Sequence, residues 1–230
     1  MPDTAPPFPA MLDDAAARAL VEKTYPQPSA PVIAKDIGHI DVHIRRFIET
    51  APFYCMATAD AAGNQDVTPR GDPPGTFKIL GPNTLALPDR PGNNRLDAIR
   101  NLVENPHIGL LFMIPGIEET VRINGTARLS VDPELLQSMA VEGNLPRSAI
   151  VIQVTEAFLH CAKAFKRAKL WESSAQVPRN ALPSLGVMIA DHVKMTPEQR
   201  QSADERIELS YRTLWSAMKP DTTKLGPKQS

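Results

Sequence analysis

Cysteine is scarce in this sequence, charge is nearly balanced and no apolar run is long, and each shortage removes a class of function. Cys55 and Cys161 are the only cysteines, too few for a disulfide framework and too far apart for a zinc or redox pair. The N-terminus, Met1 to Pro9, carries Asp3 and several prolines but no basic start followed by an apolar stretch. A secretory signal is therefore not expected, and a cytoplasmic protein is. The formal net charge of −1 offers no general attraction to nucleic acid or anionic lipid, so neither is an expected partner. The longest apolar run, Ile108 to Ile114, stops at Pro115, whereas a bilayer span takes roughly 20 residues. Neither GxxxxGK[ST] nor GxGxxG occurs, which argues against a nucleoside triphosphatase and leaves the electron donor of any redox reaction unspecified.

What is present is ordinary globular composition, 42% hydrophobic and 22% charged over 230 residues, enough for one well-filled core and barely enough for two. Residues 1–38 read as an arm and a helix. Residues 39–175 form the central domain, and 176–230 a helical extension. Asp13 or Asp14 can cap a helix over Ala15 to Lys23, and Ile40, Ile44, Phe47 and Ile48 recur at helical spacing within His39 to Thr50. From Phe53 the pattern turns to strands: Phe53–Ala59, Gln65–Pro69, Phe77–Leu80, Thr84–Leu87, Ile108–Ile114, Glu119–Leu129 and Ala149–Val154 extending towards His160, with turns at Gly63, Gly81 and Gly116. One internal helix places Leu96, Ile99, Leu102 and Val103 on one side, with Asp97, Arg100, Asn101 and Glu104 on the other. Thr196, Pro197, Glu198 and Gln199 signal a last helix, whose stripe is Ile207, Tyr211, Leu214, Trp215 and Met218. The expected fold is mainly β with added helices, an antiparallel closed or split β-barrel.

The stretch Leu87-Pro88-Asp89-Arg90-Pro91-Gly92-Asn93-Asn94-Arg95 joins a strand end to the first turn of the internal helix. Unpartnered N–H groups and the helix dipole favour an anion there, Arg90 and Arg95 bracket the point, and Gly92 lets the backbone come close. The plainer alternative is that Asn94 caps the helix, Asp97 takes the anion's place and the arginines face solvent. His39 and His43, four apart, could share a metal, but no third ligand is near, and a metal site is not expected. Cys161, beside His160 and Lys163, is either a reactive thiol or an ordinary strand cysteine. No side chain stands out as a catalytic acid or base.

Thr68-Pro69-Arg70-Gly71-Asp72, Pro88 to Asp97, Glu119 to Gly125 and Cys161-Ala162-Lys163-Ala164 together resemble the pyridoxamine 5′-phosphate oxidase-like, FMN-binding split-barrel proteins, with a likeness running from Ile40 to His192. The resemblance implies a six-stranded antiparallel split β-barrel, a homodimer and FMN in a groove between subunits. By matching position, Arg90, Asn93, Asn94 and Arg95 would surround the phosphate. Thr68, Pro69 and Arg70 would line the flavin ring, and Leu87 and Pro88 would cover it with backbone groups. Thr120 takes the place of a glutamine that lies near the flavin pyrimidine in the oxidases. Lys163, Arg167, Lys169 and Trp171 are similar to elements that close the site, although the oxidases' substrate-phosphate motif is not reproduced. The implied function is an FMN-dependent oxidoreductase acting on an unidentified small molecule. The alternatives are a flavin store, a flavin reductase or a haem-associated protein.

Overall fold

The computed structural model describes residues 11–212 and Leu214, and the chain divides into two compact units at Asp36/Ile37. The first unit contains α1 (Asp14–Thr24), opened by the Asp13 carboxylate accepting from Ala16 N at 2.8 Å, and the short α2 (Ala30–Ala34). No helix among the described residues is long and apolar enough to cross a membrane.

The second unit begins with α3 (Val42–Thr50). Its start lies three residues beyond the expected His39, because the Asp41 carboxylate accepts from both His43 N and Ile44 N and so sets the first turn. His39 therefore lies outside the helix, its Nδ1 2.6 Å from the Ile37 carbonyl oxygen. The two histidines do not share a helical face. Ile44 and Ile48 point into the core.

Seven strands follow: β1 (Phe53–Ala59), β2 (Gln65–Gly71), β3 (Lys78–Gly81), β4 (Thr84–Asp89), β5 (His107–Ile114), β6 (Ile117–Ser130) and β7 (Ser148–His160). They make one sheet in the order β2-β1-β5-β6-β7-β4-β3, every pairing antiparallel. The count is seven, as the residue pattern allows, rather than the six that the resemblance implies, and no backbone pairing joins the edges β2 and β3.

The sheet is nonetheless strongly coiled. β1 and β3 are five positions apart, roughly 24 Å in a flat sheet, yet the Tyr54 ring on β1 meets Phe77, just before β3, edge-on at 5.1 Å. Phe112 of β5 packs on both rings, at 5.2 and 5.8 Å. Alternate residues of the strands, including Met56, Leu110, Ile123, Ile152 and Leu85, fill this interior, as the period of two requires. A continuous apolar run such as that of β5 suggests a strand buried on both faces, but β5 is buried on one. Ile108, Leu110 and Phe112 are buried, while Leu111 and Met113 are half-buried on the outside.

The helices also depart from the simple pattern. α4 (Asp97–Glu104) buries Ala98, Asn101 and Leu102 and leaves Val103 exposed. Asn101 moves to the inner face because its amide donates to Thr58 Oγ1 at 3.1 Å and Asp66 Oδ2 at 2.9 Å. α5 (Pro133–Ser138) supplies Leu135 and Leu136 to a small cluster with Ala86, Met139 and Ala149. α6 (Lys163–Ala168) follows β7, and α7 (Leu185–His192) packs with α8 (Pro197–Arg212). The last helix opens with the expected reciprocal cap: Gln199 N donates to Thr196 Oγ1, and Thr196 N donates to Gln199 Oε1. Of its expected apolar stripe, Ile207 is half-buried. Tyr211 and Leu214 are exposed, and Trp215 and Met218 lie outside the described residues.

The ladder between β6 and β7 is interrupted at Asn124/Gly125, where the register shifts around Thr155. A Cβ at Gly125 would overlap the Gln153 carbonyl oxygen, so no side chain fits without moving the backbone. Gly125→Ala is expected to lower the unfolding free energy by about 1–3 kcal/mol, the range for overpacking a tight site. Urea unfolding checks this, and a wild-type midpoint would show that the bulge can relax.

Candidate functional site

The free edge at β2 and the end of β4 face each other across the open side of the coiled sheet. They are joined by side chains rather than by backbone. Arg70 of β2 donates to Asp89 of β4 at 2.9 Å, and Arg90, one residue further on, pairs with Asp72, one residue past β2, at 3.0 Å. The two pairs are crossed, arginine to aspartate in each direction. They bridge strands that stand five places apart in the sheet.

Against this seam lies a cavity of about 530 Å³, within the range of small-molecule sites. Its wall is formed by Tyr54, by 66–72 of β2 and its extension, and by 88–99 from the end of β4 into α4. Thr68, Pro69, Arg70, Pro88, Arg90, Asn93, Asn94 and Arg95 all line it. Leu87 is fully buried in the core and does not reach the cavity wall. Thr120 is 4% exposed, opposite His160 on β7, and also lies outside the wall.

The loop that enters α4 is built differently from the sequence expectation. The helix starts at Asp97, with Leu96 as its N-cap in the left-handed region (φ 62°) and no side chain capping it. Asn94 is also left-handed (φ 58°). Such a conformation costs a leucine roughly 1–2 kcal/mol. Asn94 does not cap the helix; its Oδ1 accepts from Arg147 Nη1 at 3.2 Å, and Asn93 Oδ1 accepts from Arg95 N at 3.1 Å. Arg147, immediately before β7 and bonded through its own N–H to the Asp89 carbonyl, thus joins the loop, a contact no local pattern in the sequence signals.

Arg90 is not the open phosphate ligand that its position in the motif suggests. Its Nε donates to both Asp72 oxygens, Nη1 to Asn144 O and Nη2 to Met139 O at 2.7 Å. Its side chain is largely buried. Arg95 is the accessible cation, held by Asp97 at 2.7 Å with most of its surface in solvent. A pair this exposed is weak, and a dianion can displace it. The wall carries four aspartates (66, 72, 89, 97) and three arginines (70, 90, 95), so an anion depends on the uncapped helix terminus and on Arg95 rather than on overall positive charge.

The remaining expected residues lie elsewhere in the chain. Trp171 donates from Nε1 to Ile117 O at 2.9 Å and stacks near Phe165, and Lys166 pairs with Glu118 at 2.6 Å. α6 is thereby held at the start of β6. Lys163, Arg167 and Trp171 do not line the cavity of their own chain.

Two ionisable groups at the seam are perturbed by burial. The Tyr54 phenol is pushed well above its ordinary range by desolvation and stays protonated. Desolvation also raises the Asp72 carboxyl, outweighing the hydrogen bonds and charge of Arg90. A carboxyl raised in this way favours the folded state fully only below its unfolded value of about 4. That contribution is lost as pH rises through the folded value.

Residues 40–161, more than half of the chain, match the pyridoxamine 5′-phosphate oxidase family. The chain belongs to that family. Its members include flavin-binding proteins of the split-barrel type. No curated protein sequence shows significant similarity to the chain. Among solved structures, HupZ of Group A Streptococcus aligns at 18% identity over 52% of this chain and 93% of its own, with a TM-score of 0.43. General stress protein 26 of Bacillus anthracis aligns at 13% over 50% and 89%, with a TM-score of 0.40. HutZ of Vibrio cholerae, named as a heme storage protein, aligns at 13% over 53% and 93%, with a TM-score of 0.34.

If the crossed pairs hold the seam, removing one partner leaves a buried charge behind. Asp72→Ala is expected to lower the unfolding free energy by about 3 kcal/mol. Replacing Asp72 and Arg90 together by apolar side chains of similar volume should recover most of that loss. Urea unfolding of the three chains tests this, and equal losses in the single and double variants would rule out an uncompensated charge as the cause.

Proposed function

We propose that the protein binds FMN in the seam cavity and, as a cytoplasmic homodimer, uses it as an oxidoreductase acting on a small molecule. The observation that carries this is the pairing of two unsatisfied features in one cavity. At one end is the uncapped start of α4 with Asn93, Asn94 and Arg95. In the wall is Arg70, whose buried Nε has no partner among the described residues. The first suits a phosphate monoester and the second a polar ring edge, which FMN combines. Family membership supports a flavin over other phosphorylated compounds.

On this reading FMN supplies the redox chemistry, taking up and passing on electrons at its ring system. The chain binds, orients and shields. Arg95 exchanges Asp97 for the phosphate, the amides at the start of α4 donate to it, and Arg147 steadies the loop through Asn94. Thr68, Pro69 and Pro88 supply the wall along the ring. Arg90 acts at one remove, by holding Asp72 and the ends of two loops.

The half-buried apolar outer face, with Cys55, Leu111 and Met113, suits a second copy. In such a dimer Lys163, Arg167 and Trp171 would serve the partner subunit's cavity rather than their own. A flavin store remains the second reading, favoured by one feature: the carboxylates of Asp66, Asp72 and Asp89 in the cavity wall all accept hydrogen bonds already.

The purified protein is expected to release FMN on heating, identified by chromatography, and to rebind it. Arg95→Ala should weaken FMN binding about tenfold or more, the scale of a charge-assisted hydrogen bond, with an unchanged unfolding midpoint. Recovery of FAD or haem instead, or failure to take up FMN, would refute the cofactor. Wild-type FMN affinity in the Arg95 variant would refute the placement of the phosphate.

A further inference from the structure

Tyr54 lies at the centre of the coiled sheet, directly opposite Arg70 across the β1–β2 ladder, and is 1% exposed. Its ring is wedged between Phe77 and Phe112, at centroid separations of 5.1 and 5.2 Å. A ring packed in this way holds its hydroxyl in one place. The phenol feels all four charges of the crossed pairs, Arg70, Asp72, Asp89 and Arg90. Tyr54 also belongs to the cavity wall. Its polar end is therefore at the seam.

Among the described residues, no protein group forms a hydrogen bond with this hydroxyl. The charges around it are engaged with one another: Arg70 Nη1 with Asp89, Arg90 with Asp72 and two carbonyls. Arg70 Nε is buried and equally without a partner. Residues paired across an antiparallel ladder present their side chains on the same face. The buried Arg70 Nε–H carries a desolvation cost with no compensating bond, and beside it the Tyr54 hydroxyl borders the cavity as an unengaged donor. An acceptor from outside the chain can engage both.

We propose that Tyr54 is a ligand-binding residue whose hydroxyl, alongside the Arg70 Nε–H, donates to an oxygen or nitrogen acceptor on the group held in the seam cavity. The inference rests on the flavin reading and deepens it, since a flavin ring carries carbonyl oxygens and ring nitrogens at its polar edge. The phosphate loop, with Arg95, then holds one end of the ligand, and the Tyr54–Arg70 pair grips the ring.

Tyr54→Phe keeps the ring packing and removes only the hydroxyl. Dissociation constants are measured by fluorescence titration with FMN and with riboflavin, which has the ring but no phosphate. Tyr54→Phe should weaken both by a similar factor, about five- to tenfold for one hydrogen bond, and should shift the bound-flavin absorption. Arg95→Ala should weaken FMN alone. Unchanged affinity and absorption in Tyr54→Phe would overturn this inference and leave the flavin reading standing. Failure of the wild-type chain to bind either compound would overturn both. If Tyr54→Phe unfolds more readily, fluorotyrosine placed at position 54 of the full chain provides the readout. Its fluorine resonance should move when riboflavin is added, and a resonance that stays put would overturn the inference.

Discussion

Two crossed ion pairs, Arg70 to Asp89 and Arg90 to Asp72, hold together the open side of this sheet. A seven-stranded antiparallel sheet with one apolar face must coil to bury that face, and coiling brings its edges towards each other. Here the edges meet without pairing their backbones. Pro69 in β2 lacks the N–H that a further ladder would need. Side-chain charge takes over that task, and because each pair needs its partner at a fixed place, the pairs set how the edges align. Their contribution is to specificity more than to net stability, since Asp72 is costly to desolvate even beside Arg90.

The same residues form the wall of the cavity, which ties the fold to the site. Arg90 belongs to the most distinctive motif of the chain, yet its guanidinium is spent on Asp72, Asn144 and Met139. In that role it anchors the turn after α5 and the loop before β7 to the end of β4. The site's accessible cation is Arg95, paired with Asp97 at the surface, on a loop that holds two residues in the left-handed region. Strain of this kind persists where surrounding contacts over-determine the backbone, and here Asn93 and Arg147 provide those contacts. Rigidity at the seam and accessibility at the loop are thus separated along a few residues of chain.

Burial at the seam also explains why its polar groups matter out of proportion to their number. In a region enclosed by Tyr54, Phe77 and Phe112, each hydrogen-bonding group must find a partner or bear the cost of being dry. The crossed pairs satisfy one another. Arg70 Nε remains buried without a partner, and Tyr54 lines the cavity with it.

Local chemistry was enough to read much of this chain from its residues. The strands follow from apolar alternation between Gly and Pro punctuation, the caps at Asp13 and Thr196 from side chains that reach only a few residues along, and the cavity-lining run at 88–95 from its motif. Each depends on interactions within a turn or a hairpin. What the residues alone could not decide depends on partners far apart in the chain. Asn101 reads as polar surface until Thr58 and Asp66 are brought beneath it. Arg90 reads as a phosphate ligand until a carboxylate 18 positions earlier and two carbonyls about 50 positions later enclose it. Trp171 and Lys163 read as site residues, whereas packing at the start of β6 holds them away from their own cavity. Local pattern was sufficient for the order of strands and helices and for the run that borders the cavity. Which charges are consumed in closing the sheet and which stay accessible at the surface follows from long-range packing, because a guanidinium is assigned by whatever carboxylate the fold places beside it.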